Sequence, residues 1–197
     1  ISHLGADRAS AFPILKAKAI AEDAIRHSGV DYTILRSGIV FGAEDHFTTE
    51  LARLMSASPF VFLVPGDGLT LLQPLWVEDL ATCLTWALED PNLRNKEISI
   101  GGPEFLTFNE VLETIMKIIG KKRKILNLHP PYLRGLTVSL EQMFPGFPAT
   151  VYWLDYLAVN RTCSLDTIPR TFNLLPSRFS HRLDYLRDQT WRSPFLR

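Results

Sequence analysis

The sequence predicts an α/β fold, because segments of helical period alternate along the chain with short apolar runs of strand character. The clearest case is a helical stretch closed by Ser28-Gly29 and followed at once by Asp31-Tyr32-Thr33-Ile34-Leu35-Arg36, the helix-to-strand half of a βαβ unit. The composition agrees. A chain of 197 residues, 46% hydrophobic and 21% charged, is an ordinary globular sequence, able to bury about 70% of its unfolded surface without disulfide or metal staples.

Each element has its own reason. From Pro13 to His27, Ala17, Ile20, Ala21, Ala24 and Ile25 recur at helical spacing, while Lys16, Glu22, Asp23 and Arg26 fall on other faces. Gly29 is placed to end that helix in the left-handed conformation. The run to Arg36 reads as a buried strand, with Ile39-Val40-Phe41-Gly42 as its companion, and the strand that opens the βαβ unit is expected upstream, its last residues at Ile1-Ser2. Thr48 to Ala57 is a short helix closed by Ser58-Pro59, and Phe60 to Val64 is an apolar run stopped by the turn Pro65-Gly66-Asp67-Gly68. A helix follows Trp76, with Val77, Leu80, Ala81, Leu84 and Leu88 on one stripe and Glu78 and Asp79 suiting its dipole. Lys96 to Ile100 is a strand ended by Gly101-Gly102-Pro103. Thr107-Phe108-Asn109-Glu110 is a capping box, opening a helix that turns Val111, Ile115, Ile118 and Ile119 inward and stops at Gly120.

Beyond Gly120 the character changes. The basic run Lys121-Lys122-Arg123-Lys124 reads as a solvated face after a helix end. Pro130-Pro131 precedes a helical stretch from Tyr132 to Phe144, Pro145 to Pro148 is a break, and Val151 to Ala158 is apolar and aromatic. That region reads as the core of a second, smaller and mostly helical lobe, although an amphipathic surface docking on a membrane complex would use the same residues.

Composition also excludes. With 21 basic and 21 acidic residues the chain lacks the basic excess of a nucleic-acid footprint, so no nucleic-acid partner is expected. Cys83 and Cys163 sit in no metal-binding or redox spacing and read as reduced thiols of an intracellular protein. His3, His27, His46, His129 and His181 do not cluster, so no metal is expected. No signal peptide and no transmembrane segment is visible, so a cytoplasmic or membrane-peripheral location is expected. Ile1, in place of an initiator methionine, reads as an internal residue. Neither a GxGxxG nor a GxxxxGK[ST] phosphate cradle is present, and Gly66-Asp67-Gly68 reads only as a turn.

Several strings, in order and at matching separations, resemble the second half of an atypical short-chain dehydrogenase/reductase. They are Ile1 to Ala6, Leu15 to Glu22, Ile34 to Gly42, Gln73 to Ala81 and Gly101 to Thr107. Ser2-His3-Leu4 and Phe41 to Phe47 look most like the Rossmann-type accessory subunit of respiratory complex I and its bacterial relatives. The resemblance implies the carboxy-terminal portion of a Rossmann-like parallel-sheet domain over residues 1–120, with interleaved substrate-lobe segments, and a helical, loop-rich lobe over 121–197.

In that superfamily a serine, a tyrosine and a lysine of a YxxxK helix do the chemistry, the tyrosine as general acid/base and the lysine as the group that lowers its pKa and bonds the ribose. By resemblance Ser2 and Lys18 occupy the serine and lysine positions, and Ile14 stands where the tyrosine should be; a register set on Lys16 puts Phe12 there instead. Neither has a proton to give. The nicotinamide-side loop becomes Ser37-Gly38, so Ser37, Gly38, Ile39 and Val40 join Ser2 and Lys18 as candidate cofactor contacts. The expected function is a non-catalytic scaffold or sensor on a redox complex, holding NAD(P)(H) in its longer form, with tight binding to this chain alone not expected. The alternative is an NAD(P)-dependent oxidoreductase or epimerase on a small or isoprenoid-like substrate, with Tyr32 or a water as proton donor.

Overall fold

The computed structural model of the chain describes residues 1–144, 150–187, 189 and 191. In chain order its elements are β1 (Ser2–His3), α1 (Pro13–Arg26), β2 (Thr33–Ser37), β3 (Val40–Phe41), α2 (Thr48–Ala57), β4 (Val61–Pro65), β5 (Leu71–Leu72), β6 (Leu75–Trp76), α3 (Val77–Glu89), β7 (Lys96–Ile100), β8 (Leu106–Thr107), α4 (Phe108–Ile118), β9 (Lys124–Leu128), α5 (Pro130–Met143), α6 (Val151–Tyr156) and α7 (Thr167–Phe172). The expected break at Pro145 to Pro148 lies outside the described residues. They group into two compact units, one of Ile1–Val40, Leu72–Phe105 and Arg161–Phe179, the other of Phe41–Leu71, Leu106–Asn160 and Ser180–Arg197. Each unit draws on segments from both sides of Gly120: 121–160 group with 41–71, and 161–179 with 1–40 and 72–105.

The first unit is built on a parallel sheet of order β1-β2-β7, in register from Ser2 opposite Arg36 to Ser37 opposite Ile100. Parallel strands are covered on both faces, which is why β2 and β7 carry consecutive or alternating buried aliphatics: Ile34, Leu35, Ile98 and Ile100 are all buried. Their core is completed by Leu80 and Cys83 of α3 and by Ile168 and Phe172 of α7, a helix that no sequence signal singled out. The inward stripe of α3 is shifted from the expected one. Leu80 and Cys83 are buried with Leu84 and Ala87 packed behind them, whereas Val77 and Leu88 are exposed, because the 80-83-84-87 face meets the sheet.

In α1 the expected face is reversed. Leu15, Ala19 and Glu22 are buried, while Ile14, Ile20 and Ile25 are each at least 40% exposed. The cause is an ion-pair network. Arg36 of β2 donates from Nε to Glu22 Oε1 at 2.9 Å and Arg26 from Nη2 to Glu22 Oε2 at 3.0 Å, while Glu97 of β7 accepts from both arginines. A carboxylate so paired can be buried at small net cost.

The second unit holds a parallel strand pair, β4 with β9, in register from Val61 opposite Lys124 to Pro65 opposite Leu128. The strand β9 begins inside what reads in sequence as a basic run. Helix α4 starts with the expected capping box, Thr107 Oγ1 accepting from the Glu110 amide at 3.2 Å and Glu110 Oε2 from the Thr107 amide at 2.7 Å. Its Val111, Leu112, Ile115 and Met116 are buried, Ile118 and Ile119 only half so.

The string Phe41 to Phe47 also has a structural reason. Glu44 adopts φ 63°, which lets the Asp45 carboxylate accept from the Gly42 amide at 3.2 Å, the Thr49 amide at 2.7 Å and the Thr48 hydroxyl at 2.8 Å, fastening the start of α2. No helix among the described residues is long and apolar enough to cross a membrane.

Candidate functional site

In the first unit β1 has a hydrogen-bonded neighbour on one side only, β2, and beside it lies a recess of about 250 Å³. Ser2, Lys18, Glu22, Tyr32 and Thr33 line it, with Ile1 and Ile25 at its apolar rim. Ser2 is buried at 4% exposure, and Lys18 reaches the recess from the middle of α1. The two residues placed by resemblance at the serine and lysine positions are thus brought together. Ile14, four residues before Lys18 and on the same side of the helix, is 40% exposed and offers only hydrocarbon. Phe12 is half-buried, with the Arg161 guanidinium 5.9 Å from its ring centroid, so neither register supplies a proton donor. Tyr32 does line the recess.

The charges around the recess are held by the α1 network. The Arg36 guanidinium, hydrogen-bonded to Glu22, holds that carboxyl down to about 2 against the burial that pushes it up. Glu22 is therefore a fixed anion rather than a proton carrier at neutral pH. His3, part of the Ser2-His3-Leu4 string, is half-buried on β1; burial, and then the charges of Lys18 and Arg161, hold its imidazole below the ordinary value of 6.5. His3 is not among the residues that line the recess.

Ser37, Gly38, Ile39 and Val40 do not line the recess. Ser37 is buried and donates to the Ser2 carbonyl at 3.5 Å, the Gly38 amide donates to Ile100 O at 2.9 Å, and Ile39 O accepts from the Leu75 amide at 2.8 Å. Val40 packs against the core. The glycine at 38 is required by protein, since a Cβ there would stand 2.7 Å from Gln73 O.

Gln73 is the hub of this corner. Fully buried, it donates from Nε2 to Gly102 O at 2.8 Å and accepts at Oε1 from the Cys163 amide at 2.8 Å; a Cβ on Gly102 would meet Pro74 O at 1.8 Å. Gly101-Gly102 therefore serves close packing as well as ending a strand. Cys163 and Cys83 are free thiols, each pushed up to about 11 by burial.

Were a nicotinamide dinucleotide held here, Lys18 would be the residue of the recess to bond its ribose. Lys18 and Ser2 share the recess, but none of the helices α1, α3 and α7 of this unit is opened by a glycine-rich turn that would let backbone amides reach phosphate. When bound, such a cofactor supplies hydride chemistry. Isoleucine at position 14 has no proton to give.

No protein-family model matches the chain. It is 29% identical over 149 residues to the mitochondrial NADH dehydrogenase (ubiquinone) 1 alpha subcomplex subunit 9 of Arabidopsis thaliana, covering 75% of this chain and 37% of that protein. The chain spans about a third of the length of the curated relatives it matches. Among solved structures, a nucleoside-diphosphate-sugar epimerase of Staphylococcus aureus superposes with TM-score 0.70 at 17% identity, over 93% of this chain and 62% of that one. The UDP-glucose 4-epimerase of Thermus thermophilus, solved with NAD, superposes with TM-score 0.62 at 18% identity, over 94% of this chain and 60% of that one. The chain thus has the α/β, parallel-sheet fold of these epimerases over most of its length, and complex I subunits are among its sequence relatives.

Proposed function

We propose that this epimerase-like chain, a relative of complex I subunit 9, belongs to a non-catalytic, nucleotide-holding scaffold or sensor attached to a redox complex at a membrane surface. One observation carries the reading: Ser2 and Lys18 share a recess, while the position four residues before the lysine is Ile14, which has no proton to give. The likeness to a subunit of an NADH dehydrogenase supports the attachment. Ser37 to Val40 act in this reading by holding the end of β2 against Gln73, so that they position the cofactor side without touching it. Holding a pyrophosphate would need a glycine-rich phosphate loop, which these residues do not supply.

The experiment is a paired measurement on the purified protein. NADH and NADPH binding is read by nicotinamide fluorescence, and turnover by loss of nicotinamide absorbance with a panel of ketones and aldehydes. Weak binding that Lys18→Ala removes, with no turnover, is the expected result. Sustained turnover would overturn the non-catalytic part, and binding indifferent to Lys18→Ala would overturn the recess.

A second reading rests on Tyr32, the one phenol lining the recess among the described residues. It makes the protein an NAD(P)-dependent oxidoreductase or epimerase on a small substrate, and requires turnover that Tyr32→Phe and Lys18→Ala both abolish.

A further inference from the structure

The second unit contains a cavity of about 350 Å³, enclosed by α2, β4, α5 and α6. That volume lies in the range of about 300–1,000 Å³ typical of small-molecule sites. Its walls are hydrocarbon: Leu51, Leu54, Phe62, Leu133, Leu140 and Trp153. The Phe47 and Trp153 rings, 5.3 Å apart, form one corner. The cavity is open to solvent on one side, so part of its apolar lining is left against water, a contact that an apolar occupant would remove.

The mouth has a direction. Val61, Leu63 and Pro65 of β4 line the cavity together with Phe62, and Leu63 and Leu136 at its edge are 39% and 42% exposed. Cross-strand partners in a parallel pair share a face, so the apolar surface runs from Leu63 to Leu126, which is 41% exposed, and from Val61 to the exposed Lys124. Lys121 and Lys122 are exposed immediately before it. Arg123 donates from Nε to Met55 O at 3.0 Å, which fastens the basic run beside the last turn of α2, whose Ala57 and Ser58 line the cavity. The acid at the cavity, Glu50, already faces Arg53 at 3.5 Å. Lys124 thus stands opposite a wall residue of the hydrocarbon cavity, with the exposed Lys121 and Lys122 just before it in a chain that carries no net charge.

We propose that this cavity binds the single hydrocarbon chain of an anionic amphiphile, with Lys121, Lys122 and Lys124 meeting the head group. The claim stands apart from the nucleotide reading, since every residue it uses lies in the other compact unit.

The test is calorimetric titration of the protein with decyl phosphate below its micellar concentration, with uncharged 1-decanol as the comparison. One-to-one saturable binding of decyl phosphate is expected. Leu136→Glu, an exposed rim substitution, should weaken both ligands at least about tenfold, while Lys121→Glu/Lys122→Glu/Lys124→Glu should weaken decyl phosphate about tenfold and leave 1-decanol unchanged. Circular dichroism checks that both variants fold, and all the substituted side chains are exposed. Absence of saturable binding, or indifference to Leu136→Glu, overturns the cavity as the site; equal loss of both ligands in the lysine variant overturns the head-group assignment. A parallel arm with vesicles of mixed phosphatidylglycerol and phosphatidylcholine separates the sources. Vesicle binding without binding of the monomeric amphiphile also refutes the proposal and assigns the lysines to a membrane surface.

Discussion

Glu22 shows how one side chain can reorient an element. Its carboxylate is 2% exposed, yet it is flanked by Arg36 and Arg26, so the desolvation of three charges is offset by short hydrogen bonds among them. Removing the charge leaves Arg36 half-buried without its main partner, and Glu22→Gln is expected to cost about 3 kcal/mol at pH 7, read as a lower denaturant midpoint. The pH dependence has a definite sign. A carboxyl held at about 2 when folded and near its ordinary 4.5 when unfolded contributes fully above pH 4.5, and that contribution is lost as pH falls from 4.5 through 2. The stability gap between the native protein and Glu22→Gln should therefore close over that window. A gap as wide at pH 2.5 as at pH 7 would refute the ion-pair account.

At the level of elements, local chemistry and long-range packing divide the work. Helix α4 carries its own start signal, and Thr107→Ala removes the acceptor for the Glu110 amide, at an expected cost of about 1 kcal/mol measured by chemical denaturation. No change on Thr107→Ala, with Thr107→Ser equally silent, would mean that tertiary contacts alone hold that end. Strand β9 is the opposite case. Lys124-Ile125-Leu126-Asn127-Leu128 lacks clean alternation, and becomes a strand because β4 offers a parallel edge in register. The inward faces of α1 and α3 likewise depend on what they meet. Apolar spacing marks α3 to within one residue row, since its partners are the aliphatics of the sheet, but fails for α1, where an acid and two arginines make the contact.

On the scale of the whole molecule, the first unit presents apolar surface that the described residues do not cover. Ile14, Ile20 and Ile25 stand exposed on α1, Ile1 and Val30 are exposed more fully still, and β1 is hydrogen-bonded on one side only. Such an exposed aliphatic face invites association, and a chain with no net charge has little long-range repulsion to oppose it. Sedimentation velocity should show a weight-average coefficient that rises with concentration. Ile20→Lys/Ile25→Lys should suppress the rise, and an unchanged concentration dependence in that variant would show that α1 is not the sticking surface.

By itself the sequence determined the α/β class, the existence of α1 to α5 and of β2, β4 and β7, the capping box, and the absence of a tyrosine four residues before Lys18. These are properties of local pattern and residue identity, which survive without knowledge of neighbours. Only the tertiary structure decided that Ser2, Lys18 and Tyr32 share a recess with Glu22, that Gly38 exists to admit the Gln73 backbone, that Leu63 and Leu136 line one cavity, and that Lys124 stands opposite Val61 in its wall. Each of those facts joins residues far apart in the chain. Which side of a helix turns inward, and which glycine is crowded, follow from the partner that arrives, and a linear pattern does not name that partner.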